Sequence, residues 1–204
     1  MPIACPVDLD TQVLRSEVSK VYSRVASDPN GDFHFHRGPA YAAEFLGYDP
    51  AELAALPAAC TASFAGVANP HAIARIAPGE TVLDVGCGAG MDLLLAARRA
   101  SPGGRAIGID MTESMRDRAR ASAAAAGLTN VEVHTADATS LPLPDASVDA
   151  VISNGVLNLV PEKEKAFSEI RRVLRPGGRL QLGDIVLDAP LDENTRRNID
   201  LWTG

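Results

Sequence analysis

The stretch VLDVGCGAGMDLLL, residues 82–95, places Asp84 two positions before Gly86, with Gly88 and Gly90 following at alternate positions. The apolar residues on either side read as a strand and a helix, and the glycines between them as a tight turn that lets the backbone come close to a ligand. Two further aspartates recur at similar places. Asp110 closes the apolar run AIGID, 20 residues after Gly90, and Asp137 follows VEVHT in the segment TADAT. A carboxylate 20 residues beyond such a loop can accept both hydroxyls of an adenosine ribose. Asp137 could orient an adenine amino group. Asp84, at the mouth of the first strand, would repel a pyrophosphate and suits a ligand carrying a cationic amine. Helix capping or turn formation is the alternative role for each aspartate, and the ligand role is the favoured one.

Two common phosphate-binding loops do not fit. A Walker loop needs Gly-Lys-Ser/Thr after four intervening residues, and no lysine lies between Ala77 and Val160. The dinucleotide fingerprint needs Gly-x-Gly-x-x-Gly, whereas the spacing here is Gly-x-Gly-x-Gly. A nucleoside bearing an amine and no phosphate points to S-adenosylmethionine.

The elements that must position these residues follow a regular order. Strands are expected at TVLDV, AIGID, VEVHT, VDAVIS and RLQLGDIVL. Helices are expected from Met91 to Ala100, from a cap at Thr112 to a stop at Gly127, and from about Pro161 to Leu174. Strands alternating with helices imply a parallel sheet with right-handed crossovers, a doubly wound Rossmann-like α/β domain. Before it, residues 8–25 show helical apolar spacing, and Asp49 with Pro50 starts a short helix. Residues 57–70 are small, turn-prone and hard to assign. This gives an N-terminal helical cap over residues 1–70 and a core over 71–204.

Composition narrows the partners. The 204 residues carry a net charge of −7, which argues against nucleic acid. No basic region with a following apolar stretch opens the chain, and no apolar run is long enough to span a membrane, so a cytoplasmic location is expected. Cys5, Cys60 and Cys87 are far apart, which suits a reducing compartment and gives no metal pattern. His34 and His36 alternate as on a strand, but lack cysteine or carboxylate partners nearby for a metal. They are the only cap residues that titrate near neutrality, and no catalytic base is named.

The segments VLDVGCGAG, GIDMT, ADATSLPLPDASVDAVISN and RRVLRPGGRL occur in order and resemble the successive motifs of class I S-adenosylmethionine-dependent methyltransferases over roughly residues 70–188. GYDPAELAALP, GIDMTESM and ISNGVLNLVPEKEKAFSEIRRVLRPGG more closely resemble the arsenite methyltransferase family. The resemblance implies that Asp84, Gly86, Gly88 and Gly90 form the cofactor loop. It implies that Asp110 and Met111 hold the ribose and flank the adenine, that Asp137 and Ala138 line the adenine site, and that Asn154 lies near the transferring methyl group.

The chain departs from that family where arsenic would bind. Trivalent arsenic is thiophilic and is held there by converging cysteine thiolates. The position of one cysteine, in a GCGNP-like turn, is Val67 here, within GVANP. A second, in SNCVINL, is Gly155. A third follows an LW-x-G stretch, and this sequence ends at LWTG, Gly204. Cys87 reads as a small core residue behind the cofactor, and Cys60 could reach the mouth of the site. A small-molecule organic acceptor therefore fits better than arsenite. An inert cofactor-binding module, a truncated arsenite methyltransferase and a nicotinamide oxidoreductase are the alternatives. The family's C-terminal antiparallel hairpin has no evident sequence here. The fifth strand would then be an edge, which a homo-oligomeric partner could cover. DAPLDENTRRNIDLWTG reads as a turn and a helix that places Leu201 and Trp202 on one side.

Overall fold

The computed structural model describes residues 10–186 and Asp188. The expectations for Cys5 and for the C-terminal helix with Leu201 and Trp202 lie outside the described residues. Four helices come first: α1 (Thr11–Ser27), α2 (Gly38–Leu46), α3 (Pro50–Ala54) and α4 (Ala58–Ala62). The sheet elements then alternate with helices: β1 (Thr81–Val85), α5 (Met91–Ala100), β2 (Arg105–Asp110), α6 (Glu113–Ala125), β3 (Val131–Thr135), β4 (Val148–Asn154), α7 (Lys163–Val173) and β5 (Leu174–Gly183). All strand pairs are parallel, in the order β3-β2-β1-β4-β5.

The period of two along each strand divides the core between the two faces. Val82, Ala106, Ala150 and Ile152 face one cluster, with Leu93, Leu94 and Met115 from α5 and α6. Leu83, Val85, Ile107, Ile109 and Val151 face the other, with Ile170 and Val173 from α7. The first cluster continues without a break into Val25, Ala42, Tyr48, Leu53, Cys60 and Phe64, so the N-terminal helices share the core of the sheet.

Sequence reading and structure differ at three points. Thr112 is the N-cap residue of α6 as expected, but its side chain makes no capping hydrogen bond; the Thr112 N–H instead donates to Asp110 Oδ1 at 2.7 Å. The fifth strand, expected over 179–187, runs from Leu174 to Gly183, so it begins five residues earlier, and residues 184–186 are not strand. Its pairing with β4 is irregular between Val148 and Ala150, which takes the Pro-Gly-Gly segment into a bulge. The FHFH segment is a loop and not a strand. There the His36 ring stacks on Tyr41 at 5.1 Å and His34 meets Phe35 edge-on at 5.3 Å. The Asp49 cap is as expected: its side chain accepts the Ala51 N–H at 2.8 Å.

The strand order reverses between β1 and β4, which opens a crevice at their carboxyl ends, the usual ligand position in an open α/β sheet. No helix among the described residues is long and apolar enough to cross a membrane.

Candidate active site

The crevice is a cavity with about 1110 Å³ of empty space, its open mouth included. The glycine loop forms its floor. Gly86 takes φ +74°, and a Cβ there would lie 2.4 Å from Val156 Cγ2. Only glycine allows both this backbone and the approach of Val156. Gly90 then opens α5, so the helix N-terminus faces the loop.

Asp84, Gly86, Gly88, Asp110, Met111, Asp137, Ala138 and Asn154 all line this one cavity. Gly90 begins the helix beneath it. Asp84 is buried, and its Oδ2 has no hydrogen-bond partner. Burial, then the nearby carboxylates of Asp92 and Asp110, raise its pKa well above the usual carboxylate range. Asp110 is held on both oxygens. Gly88 N–H donates to Oδ2 at 2.9 Å and Thr112 N–H to Oδ1 at 2.7 Å. Burial raises its pKa despite these bonds. The carboxylate therefore ties the glycine loop to the start of α6, a bracing role beside any ligand role. Met111 is partly exposed and Ala138 buried.

Asp137 is engaged by a residue from the far end of the chain. Arg15 Nε donates to Asp137 Oδ2 at 2.8 Å, and Arg15 Nη2 to Glu162 Oε2 at 2.9 Å. Burial alone would raise the Asp137 pKa, but the Thr139 N–H bond and Arg15 outweigh it and hold the group below its ordinary value. Val18 and Tyr22 of α1 line the cavity beside Arg15. Burial, with Asp110 and Asp184 nearby, pushes the Tyr22 phenol up to about 12. Positions 15, 18 and 22 share one face of a helix. That spacing was the available signal, and the charge of Arg15 within an apolar stripe obscured it.

Asn154 ends β4 with its amide fully engaged. Its Oδ1 accepts the N–H groups of Val67 and Ala68 at 2.8 and 3.1 Å. Its Nδ2 lies 2.7 Å from the Ala68 carbonyl and 3.0 Å from Asp92 Oδ2. The rest of the upper wall is apolar, with Phe64, Ala65, Gly66, Val156, Leu159 and Val160. Val67 and Gly155 are neighbours: a Cβ on Gly155 would lie 3.4 Å from Val67 Cγ1. Cys60 and Cys87 also line the cavity, and both are buried free thiols. Cys60 Sγ donates to the Pro57 carbonyl at 3.1 Å, and burial pushes its pKa up to about 11. Burial likewise raises Cys87 well above its ordinary value. No cluster of three or more metal-ligating side chains occurs among the described residues.

Residues 76–203 match the family model of the methyltransferase domain. The chain belongs to this family. An arsenite methyltransferase from Halobacterium salinarum is 44% identical over 165 residues, covering 81% of this chain and 42% of that protein. The chain thus spans about two-fifths of the length of that curated relative. An arsenic(III) S-adenosylmethionine methyltransferase from Chlamydomonas reinhardtii superposes with a TM-score of 0.68 at 33% identity, over 75% of this chain and 55% of that one. A SAM-dependent methyltransferase from Aquifex aeolicus superposes with a TM-score of 0.54 at 26% identity, over 76% and 79%. The fold is the Rossmann-like one of class I S-adenosylmethionine-dependent methyltransferases, and two of these three similar proteins are arsenic methyltransferases.

Proposed function

We propose that this methyltransferase domain binds S-adenosylmethionine in the crevice and transfers its methyl group to a small organic acceptor, with little activity on arsenite. The observation that carries the reading is Asp84 Oδ2, a buried oxygen without a partner that lines the cavity beside the glycine loop. A buried carboxylate oxygen left alone is costly, and a ligand ammonium in the cavity would satisfy it. Asp110 can serve the ribose as well as the loop. Each of its oxygens already accepts one N–H, and a carboxylate offers about four acceptor sites in all. The residues present therefore fit the cofactor.

When bound, the cofactor supplies an electrophilic methyl group on a sulfonium for in-line displacement. The chain's share is orientation and the exclusion of water by Phe64, Val156, Leu159 and the α1 face. Positioning of this kind is worth up to ~7–11 kcal/mol for well-aligned reactants. No acid or base is required when the acceptor is already nucleophilic.

The arsenite reading is the weaker one. Its two matching positions, Val67 and Gly155, are in van der Waals range of each other, but neither offers a soft ligand. Cys60 is a protonated thiol at neutral pH with its hydrogen committed to Pro57, and metal or arsenic binding needs the thiolate.

Calorimetric titration tests the cofactor. S-adenosylmethionine or its demethylated product should bind and NAD should not. At 100 times its Kd the ligand should stabilise the fold by about 2.7 kcal/mol. Binding of NAD alone would overturn the reading. Methylation assays with arsenite and glutathione test the acceptor. Turnovers every minute that disappear in Cys60→Ser would show a relocated thiol site.

A further inference from the structure

Behind the cavity wall lies a polar network that the sequence motifs do not account for. Tyr48 follows α2, His71 sits in a short 3-10 turn at Pro70–Ala72, Asp92 lies in the first turn of α5, and Asn154 ends β4. Tyr48 Oη donates to Asp92 Oδ1 at 2.7 Å. His71 Nε2 lies 3.3 Å from the same oxygen but makes no hydrogen bond to it. Asn154 Nδ2 reaches Asp92 Oδ2 at 3.0 Å and Tyr48 Oη at 3.1 Å. The His71 and Asp92 side chains are 1% and 8% exposed, so no bulk water screens these contacts.

The network ends on one short turn, residues 65–69. Asn154 accepts two of its N–H groups and donates to the Ala68 carbonyl. Tyr48 Oη lies 3.2 Å from that same carbonyl. The turn rests directly on the amide: a Cβ on Gly66 would fall 2.3 Å from Asn154 Nδ2. Asparagine is suited to this double task, because one short side chain carries both an acceptor and a donor. Ala65 and Gly66 line the cavity together with the glycine loop. At its other end the network is Asp92, which lines the cavity with Asp84. The negative charge of Asp92 opposes ionisation of Asp84.

We propose that Asn154 is a positioning residue that, with Tyr48 and Asp92, holds the 65–69 turn as the acceptor-side wall and ties the order of that turn to occupancy of the cofactor site. The link to occupancy rests on the cofactor reading above; the pinning of the turn does not. Asp92 lines the same cavity as Asp84, so a ligand seated beside Asp84 also packs against the Asp92 end of the network. Fixing Asp92 in place steadies its bonds to Tyr48 and Asn154, and through them Val67 and Ala68.

The test is residue-resolved amide hydrogen exchange with and without S-adenosylhomocysteine, alongside calorimetric affinity. Wild type, Tyr48→Phe and Asn154→Ala are compared. Tyr48→Phe keeps the edge-to-face packing on Phe64 at 5.4 Å and removes only the hydroxyl. Ligand should slow exchange at Val67 and Ala68 in the wild type. Tyr48→Phe should speed exchange at these two amides about tenfold, the scale of one buried hydrogen bond, with the amides of β1 and β2 unchanged. Asn154→Ala should speed it further. Unchanged turn amides in Tyr48→Phe overturn the pinning, even where Asn154→Ala loosens the whole fold. Ligand binding that leaves the turn amides unaffected overturns the link to occupancy. Failure of the wild type to bind ligand overturns the cofactor reading and the link together, while the ligand-free exchange of Tyr48→Phe still decides the pinning.

Discussion

The two walls of the cavity are built in different ways. The cofactor wall is one continuous run, β1, the glycine loop and α5, closed by Asp110 one strand away. Its chemistry is acidic, with Asp84, Asp92 and Asp110 lining the cavity beside the loop. The other wall, which the proposed function gives to the acceptor, is assembled from α1, the 65–69 turn and the residues after β4, and is mostly apolar. Its polar fixings join residues 86 to 106 positions apart, from Ala68 and Tyr48 to Asn154. The local wall is dictated by backbone geometry that few sequences can provide. The assembled wall depends on side chains that many sequences could supply.

The largest expected effect falls on the cofactor wall. Asp84→Asn should weaken S-adenosylmethionine about tenfold to over a hundredfold, the loss of a charge-assisted bond worth ~1.5–3 kcal/mol. The same change should make the free protein more stable. A carboxyl whose pKa is raised in the folded state holds its proton more tightly folded than unfolded, so its contribution to stability falls as pH rises from near 3.8 through the raised value. The amide removes that penalty, and Tm should rise by a few degrees at neutral pH, with a smaller gain in acid. In the wild type, affinity for the cationic ligand should fall as pH drops through the raised value, because Asp84 must be ionised to hold it. A variant that binds normally would take Asp84 out of cofactor binding, and one that melts lower than wild type at pH 7 would overturn the burial penalty.

Asp110→Ala comes next. Loss of the ribose contact should weaken the cofactor by roughly 1.5–3 kcal/mol. From the sequence alone, this substitution at an open strand end should leave stability unchanged. The structure revises that expectation, since the carboxylate also accepts Gly88 N–H and Thr112 N–H. The variant should therefore lose about 1–3 kcal/mol of stability as well. Thermal melts of the free protein, measured beside the titrations, separate the two contributions. A full loss of affinity with no change in Tm would show that the bracing bonds are dispensable.

The same contrast explains what the sequence discloses. The parallel sheet and α5, from Met91 to Ala100, are legible because alternation of strand and helix leaves little choice of topology. Asp84, the three glycines and Asp110 are legible because a tight turn and a strand end need those residue types there. Arg15 is not legible, since its partners Asp137 and Glu162 lie 122 and 147 positions away. Asp92 lies inside the quoted motif, yet its partners Tyr48 and His71 belong to segments with no regular pattern. Asn154 could be placed at the site by resemblance, but not as the fastening of a turn 86 residues earlier. The bulge in β5 escapes because the Pro-Gly-Gly segment has the composition of a turn, while pairing with β4 from Leu174 carries the strand through it.

The smallest expected effect concerns the lid-like face of α1, where the two walls meet. Arg15 spans Asp137 on the cofactor side and Glu162 beyond β4. The side chains are 29%, 31% and 42% exposed, so solvent screens both pairs and each is worth only about 0.2–1 kcal/mol. Arg15→Ala should therefore lower cofactor affinity by less than about fivefold, the range that such exposed pairs allow. It also frees Asp137, whose carboxylate then has one less competitor for an adenine amino group. The two consequences oppose each other, which is a further reason for a small net change. Salt separates them: added salt weakens the Arg15 pairs in the wild type and has nothing to act on in the variant. Affinities of the two proteins should converge as ionic strength rises. If the variant instead loses a hundredfold at every salt concentration, Arg15 touches the ligand itself, and α1 is part of the cofactor site and not only its cover.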